Sequence, residues 1–252
     1  MTTPHADLRA DKIRPAPPRP LDPTKTAGLT LILPAFNEEA VIGDAIREAA
    51  GALPRLAIRY EILVVDDGSS DDTFAVAMGE ATRHRHVRVL RHETNRGYGA
   101  ALRTGFEAAS LPLVAFTDAD CQFDLMDLAR MTHLTDDYPI VAGYRLNRQD
   151  PRLRLLYSWG YNRLIRLLLG TQVRDCDCAL KIFRCDAVRH ILPEATGFFV
   201  NAEMLARASR RGLAVAEVGV RHRPRRGGSS KVSIMDIPKV LRALLPFWWN
   251  SR

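Results

Sequence analysis

Apolar positions fall into short continuous runs separated by polar stretches with helical spacing. Residues 29–33 (LTLIL) form the first run, closed by Pro34, and read as a buried strand. Asn37-Glu38-Glu39 then opens a stretch to about residue 52, with Val41, Ile42, Ala45, Ile46 and Ala49 on one helical face. The alternation repeats: a strand at 60–65, a turn at 66–72, a helix to about 82, a strand at 86–92, a helix at 97–109 and a strand at 113–117. Apolar strands alternating with helices predict an α/β chain whose parallel sheet is covered on both faces. Ligands of such sheets sit beyond the carboxyl ends of the strands. That edge would gather residues 34–38, 66–69, 95–97 and 118–122.

The pattern changes after residue 137. Residues 139–143 predict another strand. Residues 152–169 predict an amphipathic helix, with Arg152, Arg154, Arg163 and Arg166 set among Leu, Tyr, Trp and Ile and with Gly170 as its C-cap. Residues 198–210 read as a helix and 214–220 as a strand. From 233 to 249, Ile237, Val240, Leu241, Leu244, Leu245 and Trp248 recur at helical spacing, interrupted by Pro238 and Pro246. Residues 1–28 are Pro-rich without apolar periodicity and read as a disordered leader. The organisation expected is therefore a leader (1–28), one domain (29–232) and an amphipathic C-terminal segment (233–252).

Composition sharpens this picture. At 252 residues and 46% hydrophobic the chain can bury one sizeable core, and 26% charged residues exclude a wholly disordered protein. There is no secretory apolar region and no stretch of about 20 apolar residues, so a soluble or peripheral protein is expected. Cys121, Cys176, Cys178 and Cys185 form no C-x-x-C pair and read as reduced thiols of a cytosolic protein rather than as a zinc site. The net charge of +7 is unevenly laid out. Residues 61–137 carry 14 Asp and Glu against 7 Arg, whereas residues 207–252 carry 11 Lys and Arg against two acids. Bulk charge suggests an anionic partner, but the layout asks for an acidic site facing basic segments.

The acidic site is most readily placed at Asp118-Ala119-Asp120-Cys121-Gln122. Alternate residues leaving a strand point the same way, so Asp118, Asp120 and Gln122 could offer three oxygens to a hard Mg²⁺ or Mn²⁺ ion. A solvated acidic turn is the plain alternative. Asp66-Asp67-Gly68-Ser69 could hydrogen-bond a base or ribose, or simply form a turn and helix cap. Pro34 and Glu38 pose the same choice. Asn95-Arg96-Gly97-Tyr98-Gly99 is not a dinucleotide loop, because Leu102 stands where the third glycine is needed; its glycines could allow a close backbone approach. In Asp175-Cys176-Asp177-Cys178-Ala179-Leu180-Lys181, a polar turn could aim Lys181 at a phosphate. Residues 221–231 (RHRPRRGGSSK) could bind phosphate through Arg and Ser. The run could also be a solvated loop or a nucleic-acid patch, although few aromatics interleave with its arginines.

Taken together these motifs resemble the family 2 glycosyltransferases, and within them the polyprenyl-phosphate glycosyltransferases typified by dolichyl-phosphate mannose synthase. The resemblance rests on P-A-F-N-E at 34–38, V-D-D-G-S at 65–69, N-R-G at 95–97, D-A-D-x-Q at 118–122, D-x-D-C-A-L-K at 175–181 and R-x-x-G-x-S-K at 225–231. It implies a GT-A fold, a Rossmann-like and mostly parallel sheet flanked by helices. It also implies transfer of a hexose from GDP-mannose or UDP-glucose to a polyprenyl monophosphate, with Mg²⁺ or Mn²⁺. Pro34, Glu38, Asp66, Asp67, Gly97 and Ala119 would line the donor pocket, with Lys181 near the donor phosphates. Asp118, Asp120 and Gln122 would hold the metal. Arg145, Arg154, Ser158 and Arg225 would handle donor and lipid phosphates. Ala179-Leu180 stands where Gly-Phe is commoner, and the Q-x-x-R-W motif of processive synthases is absent, which disfavours chain elongation. No transmembrane tail follows Lys231, so the chain would reach its lipid from the cytoplasmic face through amphipathic surface or a membrane partner protein, without nucleic acid.

Overall fold

The computed structural model describes residues 25–146, 152–171, 173–224, 242, 244 and 246–249, excepting the side chains of 152–157. The elements run β1 (Thr26–Ala35), α1 (Ile42–Leu56), β2 (Ala57–Asp66), α2 (Thr73–Arg83), β3 (Val87–Arg91), α3 (Tyr98–Ala108), β4 (Leu113–Phe116) and α4 (Leu128–Thr132). They continue with β5 (Ile140–Leu146), α5 (Arg152–Leu169), β6 (Lys181–Arg184), α6 (Cys185–Val188), α7 (Val200–Arg210) and β7 (Val215–Arg221). The leader up to residue 24, the Arg154 side chain, Arg225 and most of segment 233–252 lie outside the described residues.

The strands make one seven-stranded sheet in the order β3-β2-β1-β4-β6-β5-β7. Leu29, Leu31 and Ile32 of β1 and Ile62, Leu63, Val64 and Val65 of β2 have no exposure, as expected for central strands covered on both faces. β1 runs parallel to β2 and β4, β2 to β3, and β5 to β7. Only β6 is reversed, antiparallel to both β4 and β5. The carboxyl ends of six strands and the amino end of β6 therefore share one edge. Phe106 of α3, Phe116 of β4 and Phe183 of β6 stitch the reversed strand into the core, with ring centroids 5.6 to 6.2 Å apart.

Three expectations need correction. β1 begins at Thr26, inside the expected leader, and does not stop at Pro34, which pairs in register with Val65. Ala35 accepts from Asp67 N on the β2 side, so by alternation the missing Pro34 N–H faces the β4 side. The β4 ladder has already ended there at Ile32–Phe116, so no hydrogen bond is lost. Helix α1 begins at Ile42, not near Asn37, because residues 37–39 are tied to the facing loop described below. Strand β6 has no sequence signal of its own: its four residues (KIFR), three buried and Arg184 half-buried, show no period that separates strand from helix.

The last described residues also do more than coat a surface. Leu244 is fully buried, and Phe247 lies 5.6 Å from the Phe199 ring with the Arg210 guanidinium 4.4 Å from its own ring. Trp249 remains 74% exposed.

Candidate active site

The loops after β1 and β2 lock together through small polar groups. Asn37 N donates to Ser69 Oγ (2.9 Å) and Ser70 N to Asn37 Oδ1 (2.9 Å). Glu38 N donates to Thr73 Oγ1 (2.7 Å), and Asp72 N to Glu39 Oε2 (2.9 Å). Asn37 adopts φ +50° to make this register, a conformation its short polar side chain tolerates. The half-buried Glu38 side chain and buried Pro34 thus stand at the carboxyl edge in a fixed frame.

Asp66 and Asp67 are both buried, at 0% and 2% exposure. Asp66 Oδ1 accepts from Ser69 N (3.2 Å), and its Oδ2 is ion-paired with Arg91 Nε at 3.1 Å, without an aligned hydrogen bond. Asp67 anchors the loop after β3. Its Oδ1 meets His92 Nδ1 at 2.6 Å and accepts from Arg96 N at 2.9 Å, and its Oδ2 accepts from Gly97 N at 2.8 Å. Gly97 has φ +97°, and a Cβ there would lie 2.4 Å from Thr196 O. At Gly99 a Cβ would lie 2.0 Å from Ala195 O, and its N–H donates to Thr196 O. The glycines of N-R-G-Y-G therefore admit the protein's own segment 195–196 to close approach.

The next loop leaves β4. Asp118 is half-buried and Asp120 4% exposed, with Ala119 buried between them. Asp120 Oδ1 accepts from Gln122 N (3.1 Å), and Cys121 at φ +56° turns the chain. Asp118 Oδ1 accepts the Tyr98 hydroxyl at 2.9 Å. Burial, and then the charge of Asp118, raise the Tyr98 pKa well above its ordinary value, so the phenol keeps its proton to donate. Two carboxylates and an amide oxygen on one strand-end loop suit a hard divalent ion that draws its remaining ligands from water and phosphate. Among the described residues no group of three or more His, Cys, Asp or Glu side chains is placed to hold a metal ion; this loop brings two carboxylates, Asp118 and Asp120, and the Gln122 amide.

The stem of the basic run is fastened to the same loop. Arg223 N donates to Gln122 O (2.7 Å), Gln122 Nε2 donates to Arg223 O (3.3 Å), and Phe123 bridges His222 antiparallel. Arg223 pairs with Glu48 (2.7 Å) and Asp124 (3.1 Å), while Arg221 pairs with Asp124 (2.9 Å). The first two arginines of the run are thus committed within the protein, which weakens the nucleic-acid alternative.

Residues 175–181 reach the same edge, where Lys181 pairs with Phe116 at the end of β4. Arg145, at the end of β5, grips Asp175 through Nε–Oδ2 (2.7 Å) and Nη2–Oδ1 (2.8 Å), both side chains largely buried. Burial would lower the Arg145 pKa, but the Asp175 carboxylate outweighs it and the guanidinium stays charged. Half-buried Asp177 is pushed up to about 6 by desolvation, reinforced by Asp175. Lys181 is placed otherwise than expected. It opens β6 at 1% exposure, and its ammonium donates to Cys176 O (2.9 Å), Cys178 O and Asn201 Oδ1 (3.0 Å). An ammonium has three donors, and all three are taken, so no donor is left for a phosphate. Ser158, half-buried on α5, lies beside Asn162, whose Nδ2 donates to Ser158 O (2.9 Å) and whose Oδ1 accepts from Cys176 N (2.9 Å). Asn162 and Asn201 were not singled out from sequence, whereas Tyr98 and Arg223 were named only as members of the motifs 95–99 and 221–231. Tyr98 sits inside a motif, but the two asparagines carry no local signal, since their partners lie on other elements.

A Glycosyl transferase family 2 model matches residues 30–192. A dodecaprenyl-phosphate galacturonate synthase of Rhizobium johnstonii is 32% identical over 92% of this chain and 69% of its own length. An undecaprenyl-phosphate 4-deoxy-4-formamido-L-arabinose transferase of Sodalis glossinidius is 33% identical over 88% of this chain and 68% of its own. The Mycobacterium tuberculosis glucosyl-3-phosphoglycerate synthase superposes with a TM-score of 0.71 at 23% identity, covering 88% of this chain and 80% of that structure, which establishes a shared GT-A-like fold. Crystals of that enzyme hold Mn²⁺ and uridine diphosphate. The site at the sheet's carboxyl edge, the motifs at 34–38, 65–69, 95–97, 118–122 and 175–181 that reach it and these matches lead to one conclusion: the chain belongs to glycosyl transferase family 2.

Proposed function

We propose that this protein transfers a sugar, with inversion, from a nucleoside-diphosphate donor to a polyprenyl monophosphate. The observation that carries the reading is the Asp118–Gln122 loop, rich in oxygen ligands and fastened to the stem of the basic run. The names of the two curated relatives support the acceptor class. Pro34 and Glu38 would line the nucleotide pocket, with Asp66 and Asp67, buried and engaged by Ser69 N, Arg91, His92, Arg96 N and Gly97 N, holding its loops rather than facing the donor as the resemblance implied. Asp118, Asp120 and Gln122 would hold Mg²⁺ or Mn²⁺, which when bound offsets the charge of the leaving nucleoside diphosphate. An acceptor phosphate oxygen forms the bond to the anomeric carbon as the bond to the diphosphate breaks on the opposite side. That oxygen is already ionised near neutral pH, so no strong general base is required. Arg145 would face an anion with the donors Asp175 leaves it, aided by Arg154, Ser158 and Arg225. Positioning and charge stabilisation then supply most of the rate.

For the sugar we favour a hexose from GDP-mannose or UDP-glucose. The test is a donor panel of these two, UDP-galacturonate and UDP-4-deoxy-4-formamido-L-arabinose against polyprenyl phosphate and soluble sugars. Transfer to polyprenyl phosphate, abolished to below about one part in 10³ by Asp120→Ala in a protein that still folds, is expected. Transfer only to soluble sugars, or a fully active Asp120→Ala protein, would sink the reading. A second reading, transfer to a sugar hydroxyl, needs a base. Asp175 is held by Arg145, whereas Asp177, near 6, suits that task.

Peripheral contact with the cytoplasmic face of a membrane completes the proposal. No helix among the described residues is long and apolar enough to cross one. The outer face of α5 carries Trp159 (59% exposed), Leu167 (73% exposed), Arg163 and Arg166, and the helix has no acidic residue. Arginine beside Trp and Leu suits an anionic lipid surface. Flotation with anionic liposomes is expected for the native chain and reduced for Arg163→Glu/Arg166→Glu. Equal flotation of both would remove α5 from the interface.

A further inference from the structure

Gln122 is held at its backbone and at its side chain, and the side chain is held by a group that can only accept. Its N–H donates to Asp120 Oδ1 at 3.1 Å, and its carbonyl accepts from Arg223 N at 2.7 Å. Its Nε2 donates to Arg223 O at 3.3 Å. A backbone carbonyl has no proton to give, so the amide has one orientation: N–H₂ toward Arg223 O, Oε1 turned from it. A hard divalent ion takes oxygen ligands, so only the Oε1 end of the amide could serve one. The carbonyl that fixes this orientation stands on a pinned strap. Arg223 Nη1 reaches Glu48 Oε1 on α1 at 2.7 Å, and its Nη2 reaches Asp124 Oδ2 at 3.1 Å. Arg221 Nη2 meets the same Asp124 oxygen at 2.9 Å, and Arg221 N donates to Asp127 Oδ2 at 2.7 Å. Between the two arginines, His222 bridges Phe123 with ring centroids 5.5 Å apart.

We propose that Arg223 is a positioning residue for the metal site. Its carbonyl turns the Gln122 amide so that oxygen, not N–H₂, is offered to the divalent ion. Its guanidinium, spanning Glu48 and Asp124, keeps that carbonyl in place. The proposal deepens the reading of Gln122 as a metal ligand and rests on it. Outer groups that orient a ligand are worth about 10- to 100-fold in metal affinity. Arg223 acts on the ion only through Gln122, so its effect must disappear when the Gln122 amide is absent. A loss of general stability would carry no such condition.

The test measures Mn²⁺ binding directly, from the electron paramagnetic resonance signal of the free ion, with UDP and separately GDP present. Arg223→Met removes both ion pairs while keeping an unbranched side chain in the stem, and should weaken Mn²⁺ about tenfold. In a Gln122→Ala background, which itself binds Mn²⁺ more weakly than native protein, the same substitution should change affinity by less than about twofold. Native affinity in Arg223→Met, or an equal loss in both backgrounds, overturns the proposal. Glu48→Ala removes the far end of the clamp from a different element. It should weaken Mn²⁺ in the native background and leave it unchanged in Gln122→Ala, and should Arg223→Met fail to fold, this second pair decides. A Gln122→Ala protein that binds Mn²⁺ as tightly as the native chain, or a native chain that takes up no Mn²⁺, overturns the ligand reading and the proposal with it. That outcome is distinct from a weakened Gln122→Ala beside an unchanged Arg223→Met, which sinks the positioning role alone.

Discussion

Asp67 and Lys181 solve opposite problems in the two halves of the molecule. Asp67 is a buried anion that gathers three donors, the His92 ring, Arg96 N and Gly97 N, all from the segment after β3. Lys181 is a buried cation that feeds three acceptors, the Cys176 and Cys178 carbonyls and Asn201. Each charge fixes a loop at the carboxyl edge of the sheet. The first half builds its loops on backbone N–H groups gathered by carboxylates and small polar side chains. The second half uses full charges, with Arg145–Asp175 and Lys181 around the turn 175–178. Charge buried without saturation is costly, so residues that look like ligand contacts by type can be consumed in holding the frame.

The sharpest way to break this comparison is to remove the cation. Lys181→Met keeps the bulk but leaves two carbonyls and Asn201 without their donor, with Asp177 uncompensated nearby. A loss of about 3–5 kcal/mol of stability is expected, read as a shifted midpoint in denaturant unfolding. The anion should matter less. Asp67→Asn keeps the shape but turns an amide NH₂ toward one of the donors, at a cost of about 2 kcal/mol. Equal costs, or a larger one at Asp67, would show that the two halves are not held as described.

The same contrast explains what could be read from the chain. The strands β1 to β4 and helices α1 to α3 were legible because each is a single run with one period, and the motif residues follow from where those strands end. Helix α5 was legible from its Arg and Leu spacing, with bounds at Arg152 and Leu169. The reversed β6 was not, because its first three residues are buried, leaving no alternation to read, and nothing local records its direction. Among site residues, sequence indicated which charges stand at the edge but not what they face. Asp67 and Lys181 turn inward because partners distant in sequence, at 92–97 and at 201, reach them first.

Asp177 gives the smallest effect and a sign opposite to the other two. Its carboxyl, ordinarily near 3.8, is raised to about 6 by desolvation and by Asp175, against the opposing pull of Lys181 and Arg145. A raised acid is bound by its proton more tightly in the folded chain than in the unfolded one. Between about pH 4 and 6 the unfolded chain loses that proton while the folded chain keeps it, so stability falls as pH rises through this window and the full cost is present above it. That cost is at most about 3 kcal/mol, and the partial exposure of the side chain reduces it to about 1–2 kcal/mol. Asp177→Asn should therefore stabilise the protein by about that amount at pH 7.5, raising the melting temperature by a few degrees, with the gain vanishing near pH 4. Identical melting curves for variant and native protein from pH 4 to 7.5 would show that the carboxylate is not strained by its surroundings. The variant also separates the two acceptor readings: transfer to polyprenyl phosphate should survive, because no base is asked of Asp177 there, while transfer to a sugar hydroxyl should not.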